Sequence, residues 1–228
     1  MLMIFFGFYD NNKKIIAVLS FAGGGGVSGY PYNERHYRRF RNILIDLNRD
    51  LLTISEYMSE YDDYYELNDL CYFVMALEDR RFFRHCGFDF FSFIREAFKA
   101  VRNKKHGGAS TIDMQLVRTI TGFKDLTVYR KFYEVILAVL LNFKFSKKQI
   151  IMCYLRNAFF GSRLIGAEKA ASFFNKSVYE LTVDESACLA AMLLRPKPLM
   201  PGDKWFESIK VRALYAKRFR GSVKEGYY

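Results

Sequence analysis

Leu70-Cys71-Tyr72-Phe73-Val74-Met75-Ala76-Leu77-Glu78-Asp79-Arg80-Arg81-Phe82 passes from an unbroken apolar run to a carboxylate pair and then to cations. Leu70, Phe73, Val74 and Leu77 recur at i, i+3, i+4 and i+7, the period of one buried helix face. Glu78 stands at the end of that stripe. Arg80, Arg81, Arg84 and His85 follow, and Gly87 has the place of a helix stop. Guanidinium groups beside a carboxylate favour its ionised form. That suits a general base, or a group that steadies developing positive charge. The same residues also describe a helix end with surface ion pairs, and taken alone they favour that simpler arrangement.

Helical periods continue along the chain. Ile43, Leu47, Leu51 and Ile54 keep helical spacing in a segment that turns from basic to acidic, read as a lead-in with no chemistry of its own. Asp89 can cap a helix carrying Phe91, Ile94, Phe98 and Val101. Ser110 with Asp113, Ser146 with Gln149, and Thr182 with Glu185 have capping-box spacing. Phe132, Val135, Ile136, Val139, Leu140 and Phe143 form an apolar stripe. Glu134 shares a different face of that helix with Leu137 and Leu141. It is costly to bury unpaired, and Arg130 at i−4 and Lys131 at i−3 can neutralise it. No alternating strand pattern of similar strength occurs, so the residues describe a mostly helical domain.

At 228 residues the chain can build one domain with a substantial core. Hydrophobic residues make up 51% and aromatics 18%, too apolar for disorder and more than a core of this size needs. The excess Phe and Tyr is read as surface for lipid or a partner, with a Phe-rich core as the plain alternative. Net charge is +11, and from Arg80 to Lys148 fifteen Lys or Arg face five Asp or Glu. Such a surface suits nucleic acid, anionic lipid or a phosphorylated substrate. No helix-turn-helix, zinc-ligand or RNP-type pattern is present, which leaves phosphate on a lipid. Cys71, Cys86, Cys153 and Cys188 have no C-x-x-C spacing and define neither a disulfide nor a zinc site.

Four ordered motifs then carry a resemblance. Glu78, Asp79, Phe82, His85, Gly87 and Asp89 match E-D-x-x-F-x-x-H-x-G-x-D. Gly108, Ala109, Ser110, Thr111, Ile112, Gln115 and Leu116 match G-[GA]-S-T-I-x-x-Q-L. Arg130, Lys131 and Glu134 match R-K-x-x-E, while Ser146, Lys147, Ile150, Tyr154 and Leu155 match S-K-x-x-I-x-x-x-Y-L, with Gly161 beyond. From Glu78 to Pro201 the chain resembles glycosyltransferase family 51, the peptidoglycan glycosyltransferases and monofunctional biosynthetic transglycosylases. Asp113 and Met114, Arg118 and Thr119, Met152 and Arg156 depart from the family's usual residues.

The resemblance implies an all-α, lysozyme-like domain with a small membrane-associated lobe. It implies a transferase that polymerises lipid II with inversion and releases polyprenyl pyrophosphate. Glu78 and Glu134 are then the catalytic carboxylates. Asp79, Phe82, His85, Arg95, Ser110, Thr111, Gln115, Arg118, Arg130 and Lys131 are the substrate-binding candidates. Lys131 comes first among the cations, and the N-terminus of the helix after Gly107-Gly108 is a second anion site. A divalent cation, magnesium or manganese, is allowed by the resemblance but not required by the residues. The implied partners are lipid II, the growing glycan strand, the membrane surface and a transpeptidase, without nucleic acid. The implied location is the outer face of the bacterial cytoplasmic membrane.

Residues 1–30, with apolar Ile15 to Val27 after Lys13 and Lys14 and the run Gly23 to Gly26, are read as a candidate anchor and linker. Residues 31–228 form the catalytic domain, with its motifs between 70 and 201. A chain ending at Tyr228 leaves no room for a penicillin-binding domain, which points to a monofunctional enzyme. Two alternatives stay open: an inactive, lipid II-binding scaffold, and a lytic transglycosylase or lysozyme-like hydrolase. The basic second and third motifs favour a pyrophosphate leaving group over hydrolysis.

Overall fold

A computed structural model describes residues 34–61, 66–101, 110–122 and 127–224. The proposed anchor, the Gly23 to Gly26 run, and Gly107, Gly108 and Ala109 lie outside them. The chain divides into two compact units, Met1–Asp50 and Leu51–Tyr228. In the first, the described part is the beginning of α1 (Glu34–Met58). The second holds the end of α1, with Leu51, Ile54 and Met58 buried, and all the motifs.

The second unit is built from α2 (Asp69–Glu78), α3 (Phe90–Val101), α4 (Ile112–Thr121), α5 (Val128–Lys144) and α6 (Lys147–Asn157). A short hairpin follows, β1 (Phe159–Gly161) antiparallel to β2 (Leu164–Ile165), and then α7 (Ala167–Ala171), α8 (Val183–Leu194) and α9 (Asp203–Lys224). The helical expectation holds, and the mainly α architecture agrees with a lysozyme-like transglycosylase domain.

The centre is α2. Every residue from Leu70 to Ala76 is buried, because a helix apolar on all sides is stable only inside other elements. It packs against α8 and α9, and α4 packs against α5 and α6. The capping boxes Ser146–Gln149 and Thr182–Glu185 both form, and Asp89 accepts the N–H groups of Phe91 and Ser92 at the start of α3.

Two local expectations are corrected. Gly87 does not stop a helix, since α2 already ends at Glu78. Its φ is +90°, and a Cβ there would lie 2.4 Å from the Ala138 carbonyl oxygen of α5, so it is a point of close backbone approach. The cap of α4 is Thr111, not Ser110: Thr111 Oγ1 accepts the Met114 N–H (3.2 Å) and donates to the Gly87 carbonyl (2.7 Å).

The apolar stripe of α5 points outward. Tyr133, Glu134, Leu137, Ala138 and Leu141 are its buried residues, whereas Phe132 is 69% and Phe143 72% exposed. Phe90, Phe91, Phe93 and Phe98 of α3 are exposed as well. Part of the aromatic excess is therefore surface. All four cysteines are free, and burial pushes the Cys71 and Cys153 thiols up to about 12.

Candidate active site

Leu77 and Glu78 from the end of α2, Ser110 before α4, Gln115 and Arg118 on α4, and Leu194 on α8 line a cleft of about 250 Å³. The helix period places Gln115 and Arg118 one turn apart on the same side of α4. Gln115 Nε2 donates to Glu78 Oε2 (2.8 Å), and its Oε1 accepts from the Tyr154 hydroxyl of α6 (2.8 Å).

The environment of Glu78 differs from the sequence expectation. Its carboxyl is raised above the usual 4.5, chiefly by burial and further by Asp79, while Gln115 and Arg212 pull it down. The neighbouring cations turn elsewhere. Arg80 lies over the Phe219 ring at 3.9 Å, Arg81 pairs with Asp89 at 3.3 Å, and His85 Nε2 lies 2.9 Å from Asp79 Oδ2. A half-buried carboxylate with a raised pKa suits a general base better than one whose pKa lies far below the working pH, because proton transfer is most efficient when the two approach each other.

Glu134, 1% exposed, takes a two-point grip from Arg118, Nε to Oε1 at 2.8 Å and Nη2 to Oε2 at 3.2 Å. Arg130 Nε and Lys131 Nζ stand 3.5 and 3.7 Å from its oxygens, so the pairs expected from the sequence form. Lys131 also donates to Ser110 Oγ (2.6 Å) at the cleft wall. Burial lowers the Lys131 pKa, with Glu134 opposing and Arg118 and Arg130 adding to the fall. Three cations converge on one carboxylate, so the group keeps a net positive charge.

Other candidates lie behind this surface. Asp79 is buried and accepts the Ile112 N–H (3.2 Å) as well as His85. At the start of α4 the Ile112 N–H is thus held by the Asp79 carboxylate and the Met114 N–H by Thr111 Oγ1. Phe82 is fully buried, with Lys147 Nζ 4.4 Å from its ring centroid. Arg95 pairs with Glu96 (3.3 Å) and donates to Ser92 Oγ (3.2 Å), both on α3, and does not line the cleft.

Among the described residues, Asp79, His85 and Asp113 are the group with metal-ligand spacing, their donor atoms within 4.8 Å of one another. Lys147 Nζ is 2.9 Å from Asp113 Oδ1, which Asn142 Nδ2 also reaches at 2.7 Å, so an ammonium already balances the Asp113 charge. The group also lies off the cleft lining.

The departures from the family pattern sort by position. Met114 is buried, Arg156 pairs with Glu60 on the far side of α6, and Met152 Sδ lies 4.0 Å from Cys71 Sγ. Of these substituted positions, Arg118 is the one that lines the cleft. Tyr154 and Arg212 were missed as site residues. Tyr154 stands in the fourth motif, but nothing local shows that its hydroxyl reaches α4. Arg212 is one cation among many on α9.

The fold and cleft thus define a helical domain with two held carboxylates and a basic cluster. The chain belongs to the transglycosylase family, whose model matches residues 52–219. It is 37% identical over 177 residues to penicillin-binding protein 1A of Rickettsia prowazekii, covering 74% of this chain and 22% of that protein. To penicillin-binding protein 1A of Rickettsia bellii it is 36% identical over 220 residues, 89% of this chain and 28% of the relative. Penicillin-binding protein 2a of Streptococcus pneumoniae is 40% identical over 129 residues, 56% of this chain and 17% of the relative. The chain spans 22% and 28% of the length of these two Rickettsia relatives.

Proposed function

We propose that this domain is a peptidoglycan glycosyltransferase that polymerises lipid II into glycan strands. The observation that carries the proposal is one cleft lined both by a half-buried carboxylate, Glu78, and by the Arg118 and Ser110 edge of the cationic cluster. Glu78 takes the proton of the acceptor sugar's 4-hydroxyl. The oxygen forms its bond to the anomeric carbon of the growing strand, from the face opposite the leaving group. The bond to polyprenyl pyrophosphate breaks, and its electron pair leaves with the pyrophosphate. Lys131, Arg118 and Arg130, fixed before reaction, stabilise that charge. Glu134 keeps the three cations close together. Asp79, Phe82, His85 and Thr111 act by placing α4, without touching substrate.

The exposed phenylalanines of α3 and α5 suit a lipid surface, in keeping with a polyprenyl-linked substrate at the outer face of the cytoplasmic membrane. No helix among the described residues is long and apolar enough to cross a membrane. A transpeptidase that cross-links the strands is the expected partner.

Incubation of purified protein with labelled lipid II in detergent tests the reading. Polymer from the native chain and none from Glu78→Gln supports it. Binding without polymer by both proteins converts the domain into a scaffold.

A further inference from the structure

We infer that Tyr154 is a positioning residue, whose hydroxyl fixes the direction of the Gln115 amide and so the state of Glu78. The inference rests on Glu78 being the base. An amide side chain has nearly the same shape in either orientation but opposite polarity at its two ends. With Nε2 toward Glu78, the carboxylate gains a donor at 2.8 Å. Reversed, Oε1 would face Glu78 Oε2, acceptor against acceptor.

Tyr154 decides between the two. It is 4% exposed, and burial, with Glu78 adding to it and Arg118 opposing, raises its pKa, so the phenol stays protonated. That buried proton needs an acceptor, and Gln115 Oε1 at 2.8 Å is the one it has. Reversing the amide would leave the phenol proton without it, at the cost of a buried unmade hydrogen bond. The chain from Tyr154 through Gln115 to Glu78 therefore links α6, α4 and α2 with one polarity. It favours the ionised carboxylate that can accept a proton.

The charged groups acting on Glu78 are Asp79 beside it, which raises its pKa, and Arg212 of α9, which lowers it. Arg118 acts on Tyr154. None of them is altered by removing the phenol oxygen.

The test is the pH profile of polymer formation from labelled lipid II by native protein, Tyr154→Phe, Gln115→Met and the double variant. In Tyr154→Phe the acid limb of kcat is expected to move to higher pH. At a fixed pH on the acid limb kcat should fall about three- to tenfold, the size of one buried hydrogen bond, with KM within about twofold. Gln115→Met should move the limb in the same direction, and adding Tyr154→Phe to it should change nothing further. An unmoved acid limb in Tyr154→Phe, or full additivity in the double variant, overturns the inference while Glu78→Gln stays inactive. If Tyr154→Phe does not fold, a Gln115→Met profile identical to native overturns it equally. An active Glu78→Gln variant would instead remove the base assignment itself.

Discussion

Gln115 and Arg118 stand one turn apart on α4, and each holds a different carboxylate, Gln115 that of Glu78 and Arg118 that of Glu134. Helix α4 therefore acts as a spacer between the two acidic residues supplied by the first and third motifs. The helix is fixed at the start by Asp79 and Thr111, so displacement of α4 would disturb both carboxylates together.

Glu78 costs the fold stability when ionised. Its folded-state pKa is raised, so stability is full below the unfolded value near 4.5 and is lost as pH rises through the folded value. Glu78→Gln should melt at a higher temperature than native protein at pH 7. The difference should vanish near pH 4, as calorimetry of both proteins would show.

Arg118→Ala leaves Glu134 buried with two more distant cations. Urea unfolding should register a loss toward the lower end of the about 3–5 kcal/mol seen when a buried pair loses one partner. Arg118→Lys should recover only part of it, because an ammonium cannot reproduce the two-point grip. Full recovery by Lys would refute the geometric argument.

Thr111→Ala removes the α4 cap and the donor to Gly87. A loss of about 1–2 kcal/mol is expected in denaturant titration, and Thr111→Ser should restore most of it. Equal stability of the Ala and Ser variants would show that the hydroxyl is not used.

Gly87→Ala combines a strained φ with a Cβ set against the Ala138 carbonyl of α5. Backbone strain alone is worth about 1–3 kcal/mol, and the clash adds to it. The melting temperature should fall clearly, and an unchanged one would contradict the close approach.

Phe132→Ser with Phe143→Ser should leave stability within about 0.5 kcal/mol, since both rings are exposed. Flotation with vesicles of anionic phospholipid should show weaker association than native protein. Unchanged flotation would remove α5 from the membrane-facing surface.

Much of this molecule was legible along the chain. Apolar spacing at three and four residues, with Asp89, Ser146 and Thr182 as caps, defined helices that the structure contains. The pairing of Glu134 with Arg130 and Lys131 followed from helix geometry, and the four motifs gave the family. These features depend on residues a few positions apart, whose relation the helix period fixes. Tertiary packing decided which face of α5 is buried, because that helix is apolar on two sides and only its neighbours choose between them. It also decided that Glu78 is governed by burial, since desolvation depends on what lies across space and the adjacent arginines found partners elsewhere. Thr111 in place of Ser110 as the cap, and the reach of Tyr154 across α4 to the Glu78 site, have the same origin: hydrogen bonds between distant segments form only once the helices have packed.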